Sequence, residues 1–344
     1  MRYALKYDLR APDFGAPLQS LYRACLDQCR AADTWGFERV FLLEHHGTDD
    51  NYCPSPLILG TAIAASTAKM LISPAALIAP LHEPLRIAED LAVLDQISGG
   101  RVEVVLGAGY SPDEFAMFGR DVTQRGAAMS EIVQVLKDAW TGEPFQFRGR
   151  TVRVTPRPAR QPRPPIFLGG MTAAAARRAA RVADGFWPVN AALEQEYRAE
   201  CEREGHPPGV TAPRGYVVEP FVSPRFTFVS EDPERDWNVV LPHALHESVS
   251  YAQLARSAGA RQQSNTPAMF QDEHISAEDI RSGGNYMVMT PEACIQMYRG
   301  LAPDGMVVLH PLLAGLDPEA SWSSLTLFAE RVMPRLNELT VDVG

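Results

Sequence analysis

The chain is poor in the features that would take it out of a soluble compartment. No apolar run reaches the roughly 18 residues a bilayer-spanning helix needs. Met-Arg-Tyr-Ala-Leu-Lys-Tyr-Asp at the start reads as a strand, not as the apolar stretch of a secretion signal, so a cytoplasmic protein without membrane contact is expected. Positive charge is never dense enough for a nucleic-acid surface, and the formal net charge of -10 argues against one. Cysteine is scarce and odd in number: Cys25, Cys29, Cys53, Cys201 and Cys294 are spread over the chain, which suits reduced, buried thiols. Cys25 and Cys29 would neighbour each other on a helix, but a second ligand pair is missing. Gly-x-Ser-x-Gly and lysine-nucleophile patterns are absent, which weighs against a hydrolase or a Schiff-base enzyme. His243, His246 and Glu247 do not form His-Glu-x-x-His, so no metal is expected.

What the chain does have is an ordinary globular composition, 46% hydrophobic and 22% charged. Strand and helix patterns alternate: strands at Tyr3–Asp8, Phe37–Leu43, Leu71–Ala79, Val102–Leu106, Ile166–Gly169, Gly185–Val189, within Val217–Val229, and Met306–His310. Between them lie helices at Leu18–Trp35, Ser55–Thr67, Leu85–Ile97, Arg125–Thr141, Thr172–Val182, Leu193–Glu204 and Pro291–Arg299, with a last helix at Ser321–Leu339. The absence of hairpin signals in the first four rounds predicts a parallel sheet with crossover helices. The predicted fold class is α/β, a single-domain (β/α)8 TIM barrel with insertions near 142–165 and 233–286; a doubly wound open sheet is the alternative. The first insertion should hold a short β-ribbon and a proline-forced extended segment. The second contains a helix through Trp237–Ala255 and a polar, weakly periodic stretch that reads as a lid.

In a parallel α/β protein, ligands meet the carboxyl ends of the strands. There the second strand runs into Glu44, His45 and His46, candidates for proton transfer; the plainer alternative is a histidine pair that caps a strand. His310 ends the last strand and is a substrate-side candidate together with His46. Gly107-Ala108-Gly109 lacks the third glycine of a dinucleotide loop but would let a flat ring approach the backbone, or simply ease a turn. Gly169-Gly170-Met171-Thr172 leads from a strand into a helix; its amides and the Thr172 hydroxyl suit a phosphate, or an ordinary N-cap. Arg125, opening a helix, is a candidate phosphate partner or a solvated surface residue.

The chain resembles the bacterial luciferase-like flavin-dependent monooxygenase superfamily. The matching stretches are Gly36 to Val40 with Glu44-His45-His46, Pro84 to Asp90 with Leu94 to Arg101, and Gly107 to Tyr110 with Glu114-Phe115 and Phe118-Gly119. Further on are Pro164-Pro165-Ile166, Ala183-Asp184-Gly185, Thr290-Pro291-Glu292 and Val332-Met333-Pro334. The resemblance implies a barrel that binds reduced FMN (FMNH2) without a covalent link, receives it from a separate flavin reductase, and transfers one atom of O2 to a small organic substrate. It implies His45 as the catalytic histidine, a cis Ala75-Ala76 peptide beneath the flavin ring, a phosphate site at Gly169 to Thr172 with Arg125, and a homodimer. Two departures stand out. Gly107 and Ala108 replace a reactive Cys and a phosphate-binding Arg of the luciferase α subunit, which removes the ground for light emission. Tyr110 stands where relatives that use the deazaflavin F420 often carry an acid, which favours FMN and leaves F420-dependent hydride transfer as the alternative.

Overall fold

The computed structural model describes residues 1–211, 224–257, 273–301 and 305–341. The chain forms two compact units: a middle unit of Phe41–His46 and Pro54–Ala212, and a terminal unit of Met1–Val40, Gly47–Cys53 and Pro213–Gly344. The terminal unit begins with β1 (Arg2–Tyr7) and α1 (Leu18–Trp35), whose inner face is Leu21, Cys25, Gln28, Cys29 and Ala32. Gly36 stops α1 at a φ of +91°, a backbone state a side chain resists, and its N–H caps the Ala32 carbonyl. All five cysteines are buried free thiols.

The next strand, β2 (Arg39–Leu42), delivers the chain to the middle unit, where strand and helix alternate. In order these are α2 (Pro56–Ser66), β3 (Leu71–Ile78), α3 (Pro84–Ser98), β4 (Val104–Gly107), the short α4 (Pro112–Met117) and α5 (Arg125–Ala139). A two-stranded ribbon of β5 (Phe145–Phe147) and β6 (Arg150–Val152) follows, then β7 (Ile166–Gly170), α6 (Ala173–Val182), β8 (Gly185–Pro188), α7 (Ala191–Arg203) and β9 (Val210–Thr211). Strands β3, β4, β7, β8 and β9 pair in that order, all parallel. Val104, Val105 and Leu106, and Ile166, Phe167 and Leu168, are buried without alternation, because helices cover a parallel sheet on both faces. Pro56, Pro84 and Pro112 each open a helix, where a missing N–H costs nothing.

The ribbon is as expected, antiparallel with Phe145 opposite Val152. Sequence periodicity misses β9 altogether, since two residues carry no pattern.

Back in the terminal unit are β10 (Phe226–Val229), α8 (Pro233–Ser257), α9 (Ala277–Ser282), β11 (Tyr286–Met289), α10 (Pro291–Tyr298), β12 (Met306–Leu309), α11 (Pro318–Leu327) and α12 (Met333–Val341). β1 pairs with β12 in parallel, Arg2 beside Met306 through Leu5 beside Leu309. The strand predicted within Val217–Val229 is β10, and residues 217–223 lie outside the described part. β10 pairs in parallel with β11, a four-residue strand too short to betray itself by alternation. Within the 233–286 segment read as a lid, the helix expected through Trp237–Ala255 is present as α8 and packs as a core element. Trp237, Val240 and Ala244 of α8 pack with Phe226, Phe228, Ile280 and Tyr286. Its weak periodicity has a cause: Pro242 lies inside the helix, and polar His243 and Glu247 are buried along with the apolar residues. Residues 258–272 of that stretch lie outside the described part. Among the described residues no helix is long and apolar enough to cross a membrane.

One side chain does much to hold α2 against α3 and β4. Arg101 donates from Nε to the Ser98 carbonyl at 2.6 Å, from Nη1 to the Met70 carbonyl at 2.7 Å, and from Nη2 to the Ala64 and Thr67 carbonyls at 2.8 and 3.0 Å. Those acceptors include the orphan carbonyls at the end of α2, where a cation is also favoured by the helix dipole. Arg101→Ala should therefore lower the unfolding free energy by about 3 kcal/mol, and Arg101→Lys, which lacks the fork, should recover less than half of it. Urea unfolding midpoints measure both.

Candidate active site

The carboxyl end of β2 delivers Glu44, which is buried and accepts three hydrogen bonds. His46 Nε2–H donates at 3.0 Å and His82 Nε2–H at 2.8 Å to Glu44 Oε1, and the Ile78 N–H donates to Oε2 at 2.5 Å. Burial pushes the Glu44 carboxyl up, but these bonds and the His82 charge outweigh it and hold the group at about 2. Glu44 thus ties the ends of β2 and β3 together and is an anchor, with its acceptor capacity committed to protein donors. His46 is correspondingly turned away, its ring meeting Phe118 edge-on at 4.7 Å.

His45 points elsewhere. Its Nδ1 lies 2.7 Å from Glu114 Oε1, which also accepts the His46 backbone N–H at 2.8 Å. A carboxylate cannot donate, so Nδ1 carries the proton and Nε2 is left as the acceptor. The Tyr110 hydroxyl donates to that Nε2 at 3.2 Å, with the two rings at 71°. Glu114 is placed by α4: the Ser111 hydroxyl accepts its N–H, and the next residue, Phe115, packs with Ile78 and Leu81. The result is a carboxylate, imidazole and phenol in line, with Glu114 Oε2 buried and without a hydrogen-bond partner among the described residues.

The small residues at the ends of β3 and β4 fit one another. The Ala75–Ala76 peptide is cis, the conformation expected from the resemblance. A Cβ at Gly107 would come within 2.9 Å of Ala76 Cβ, so Gly107 is bare to admit Ala76. A side chain at Gly109 would strike Ile78 and Phe115 at 2.8 Å. Ala108 is partly exposed between them.

At the end of β7, Thr172 caps α6, its hydroxyl accepting the Ala175 N–H at 3.2 Å, and Gly170 is excluded from carrying a side chain by Ala175, 2.4 Å from where a Cβ would stand. Gly169 and Met171 are partly exposed beside it. The ordinary N-cap reading of this turn is therefore fulfilled. Positive charge gathers close by: Arg178 of α6 reaches the start of α5, its Nη2 2.6 Å from where a Gly126 Cβ would be, next to Arg125. Burial and then the Arg125 charge push the Arg178 guanidinium down. Neither arginine has a carboxylate within ion-pair distance among the described residues, and α5 has no side-chain N-cap. Two guanidiniums without a carboxylate partner, Arg125 donating meanwhile to the Val122 carbonyl at 2.7 Å, suit a terminal phosphate.

His45, Glu44, His46, Ala75, Ala76, Gly107, Ala108, Tyr110, Arg125 and Gly169 to Thr172 all belong to the middle unit. His310 belongs to the terminal unit, buried between Asp8 and Glu247. Sequence reading gave no role to Glu114, His82 or Arg178. Glu114 was visible only as part of a shared motif; His82 and Arg178 carry no local signal, since what makes them matter is a partner far along the chain.

A luciferase-like monooxygenase family model matches residues 10–305. The chain belongs to that family. Among its curated relatives is an FMNH2-dependent dimethylsulfone monooxygenase of Pseudomonas putida, 29% identical over 51% of this chain and 52% of the relative. Another is an F420-dependent glucose-6-phosphate dehydrogenase of Nakamurella multipartita, 31% identical over 46% of this chain and 50% of the relative. The chain spans about half the length of the curated relatives it matches. The crystal structure of the monooxygenase RslO1 from Streptomyces bottropensis shares its fold, with a TM-score of 0.69, 24% identity, and coverage of 97% of this chain and 99% of that one. This luciferase-like α/β fold is thus common to members with FMN and with F420 chemistry.

Because Glu44 sits near 2 in the folded chain against an ordinary 4.5, its contribution to stability is full above about pH 4.5 and fades as pH falls towards 2. Glu44→Gln should be less stable than the parent at pH 7 by about 3 kcal/mol, and the gap should close between pH 5 and pH 2. Denaturant unfolding across that range is the measurement; a gap that widens on acidification would contradict the assignment.

Proposed function

We propose that this chain is an FMNH2-dependent monooxygenase on a (β/α)8 barrel, passing one oxygen atom of O2 to a small organic substrate. In this reading it is a cytoplasmic homodimer supplied with reduced flavin by a separate reductase. The observation that carries the reading is the Glu114–His45–Tyr110 array at the carboxyl ends of β2 and β4, beside the small-residue surface of Ala75, Ala76 and Gly107. Membership of the luciferase-like family and the dimethylsulfone relative support it.

Reduced FMN, when bound, supplies the electrons that activate O2. The protein's part is to bind, to exclude water and to move a proton. Arg125 and Arg178 would hold the phosphate, with the amides before α6 as further donors. His45 is 7% exposed, so proton exchange at its Nε2 passes through the Tyr110 hydroxyl more readily than through bulk water. Glu114 keeps Nδ1 protonated and stabilises the imidazolium formed when Nε2 takes a proton, so one imidazole serves as base and then as acid. The second reading is F420-dependent hydride transfer, supported by the Nakamurella relative. Two observations favour FMN: Tyr110 is a phenol, not an acid, and the paired guanidiniums match a phosphate monoester dianion better than the singly charged diester of F420.

Anaerobic titration with FMNH2 and with reduced F420 tests the choice; equal or tighter binding of F420 would sink the FMN reading. Arg178→Ala should weaken FMN by about tenfold while riboflavin, without a phosphate, binds as before. His45→Ala should cut oxygen-dependent turnover by about a hundredfold or more with FMN affinity within threefold of the parent; loss of affinity with turnover intact would move His45 from proton transfer to binding.

A further inference from the structure

The turns after β1 and β12 enclose a cleft of about 460 Å³ in the terminal unit, and the proposed reaction gives it no part. One wall is Phe14 to Pro17, leading into α1; another is Gly315 to Glu319, leading into α11; α8 contributes His243. The two turns are fastened by their backbones, the Ala16 N–H donating to the Gly315 carbonyl at 2.8 Å. Gly315 has a φ of +81°, and a Cβ on Gly15 would stand 3.1 Å from the Gly315 oxygen, so both positions favour glycine. The Ser20 hydroxyl is turned to the Pro17 carbonyl at 2.6 Å. The character of the cleft is therefore left to four side chains, Phe14, His243, Asp317 and Glu319.

His243 is 8% exposed, and its Nδ1–H donates to the Ala314 carbonyl at 2.8 Å. A carbonyl cannot donate, so the lone pair sits on Nε2, which meets no donor among the described residues. Burial pushes this imidazole down, with the Ala314 carbonyl and Asp317 working the other way, and the ring is neutral at pH 7. Asp317 Oδ2 accepts the Glu319 and Ala320 N–H groups, each at 3.0 Å, which leaves Oδ1 over. The start of α11 favours negative charge and keeps both carboxylates ionised. Neither has an ion-pair partner among the described residues, and no lysine or arginine lines the cleft. Phe14 is 55% exposed, with its ring 5.2 Å from that of His243. An anion would meet two carboxylates here, and an apolar ligand would cover a buried lone pair without satisfying it. His243, Asp317 and Glu319 do not come close enough to one another to share a metal ion. A cation that also carries N–H donors satisfies all four side chains, since an exposed aromatic face attracts positive charge as well.

We propose that this cleft binds the protonated amine of a small organic molecule, its ammonium donating to His243 Nε2 between the carboxylates of Asp317 and Glu319, with Phe14 covering it. The proposal stands apart from the flavin reading, so its test needs no flavin. Calorimetry on the full chain, in an amine-free buffer, compares benzylammonium, benzyltrimethylammonium, benzyl alcohol and benzoate. Benzylammonium should bind, and benzyltrimethylammonium, which keeps the charge but has no N–H for Nε2, should bind about tenfold more weakly. Benzyl alcohol and benzoate should give no heat of binding. Asp317→Asn with Glu319→Gln, in which the asparagine preserves the cap of α11, should weaken benzylammonium by about tenfold, and Phe14→Leu by about threefold. No binding of benzylammonium to the parent chain overturns the proposal. So does equal binding of benzyl alcohol or of the quaternary ion, or undiminished benzylammonium binding to the double variant. Should the double variant fail to fold, Glu319→Gln alone decides, since Glu319 is exposed and its side chain holds no other element in place.

Discussion

A carboxylate removed from water has to find donors, and the middle unit contains two such groups, Glu44 after β2 and Glu114 on α4. Glu44 is satisfied by His46, His82 and the Ile78 amide, and Glu114 by His45 and the His46 amide. Neither oxygen system can donate, so the five nitrogens that face them must carry protons. That single requirement sets the tautomer of His45, turns His46 to its neighbour Phe118, and leaves one imidazole lone pair, at His45 Nε2, directed at a phenol. A residue pair that looks symmetric in the chain, His45 and His46, is made unequal by which carboxylate each one serves.

The same logic separates glycine as a ligand surface from glycine as a packing requirement. Gly107 and Gly170 are bare because Ala76 and Ala175 need the room. What binds at such a place is then the shape made by both partners together, and positive charge is brought from a different element: Arg178 travels from α6 to the first turn of α5, where it stands by Arg125. Two like charges side by side repel each other and lose solvation, an arrangement that an anion relieves.

The terminal unit shows the opposite balance. Its buried acids are matched by arginines, and an alternating row from Asp50 through Arg10, Asp8, His310 and Glu247 to Arg225 crosses its interior. Such rows add little net stability, since the desolvation of each ion offsets most of the attraction. Their effect is orientation: Tyr251 is clamped between Arg10 and Arg225.

From the chain alone came the α/β class, most strand and helix positions, the ribbon near 145–152, and the Glu-His-His cluster at a strand end, because each of these rests on local periodicity, on proline and glycine, or on a contiguous motif. Periodicity gave way where elements are too short to show it, at β9 and at β11, whereas the helix expected through Trp237–Ala255 is present as α8. The choice of His45 over His46, the roles of Glu114, His82 and Arg178, and the charge cluster around His310 were decided only by the tertiary structure. Most of them depend on hydrogen bonds and charge pairs between residues from about 38 to about 300 positions apart, and no local pattern encodes which distant partner will stand close to a given atom.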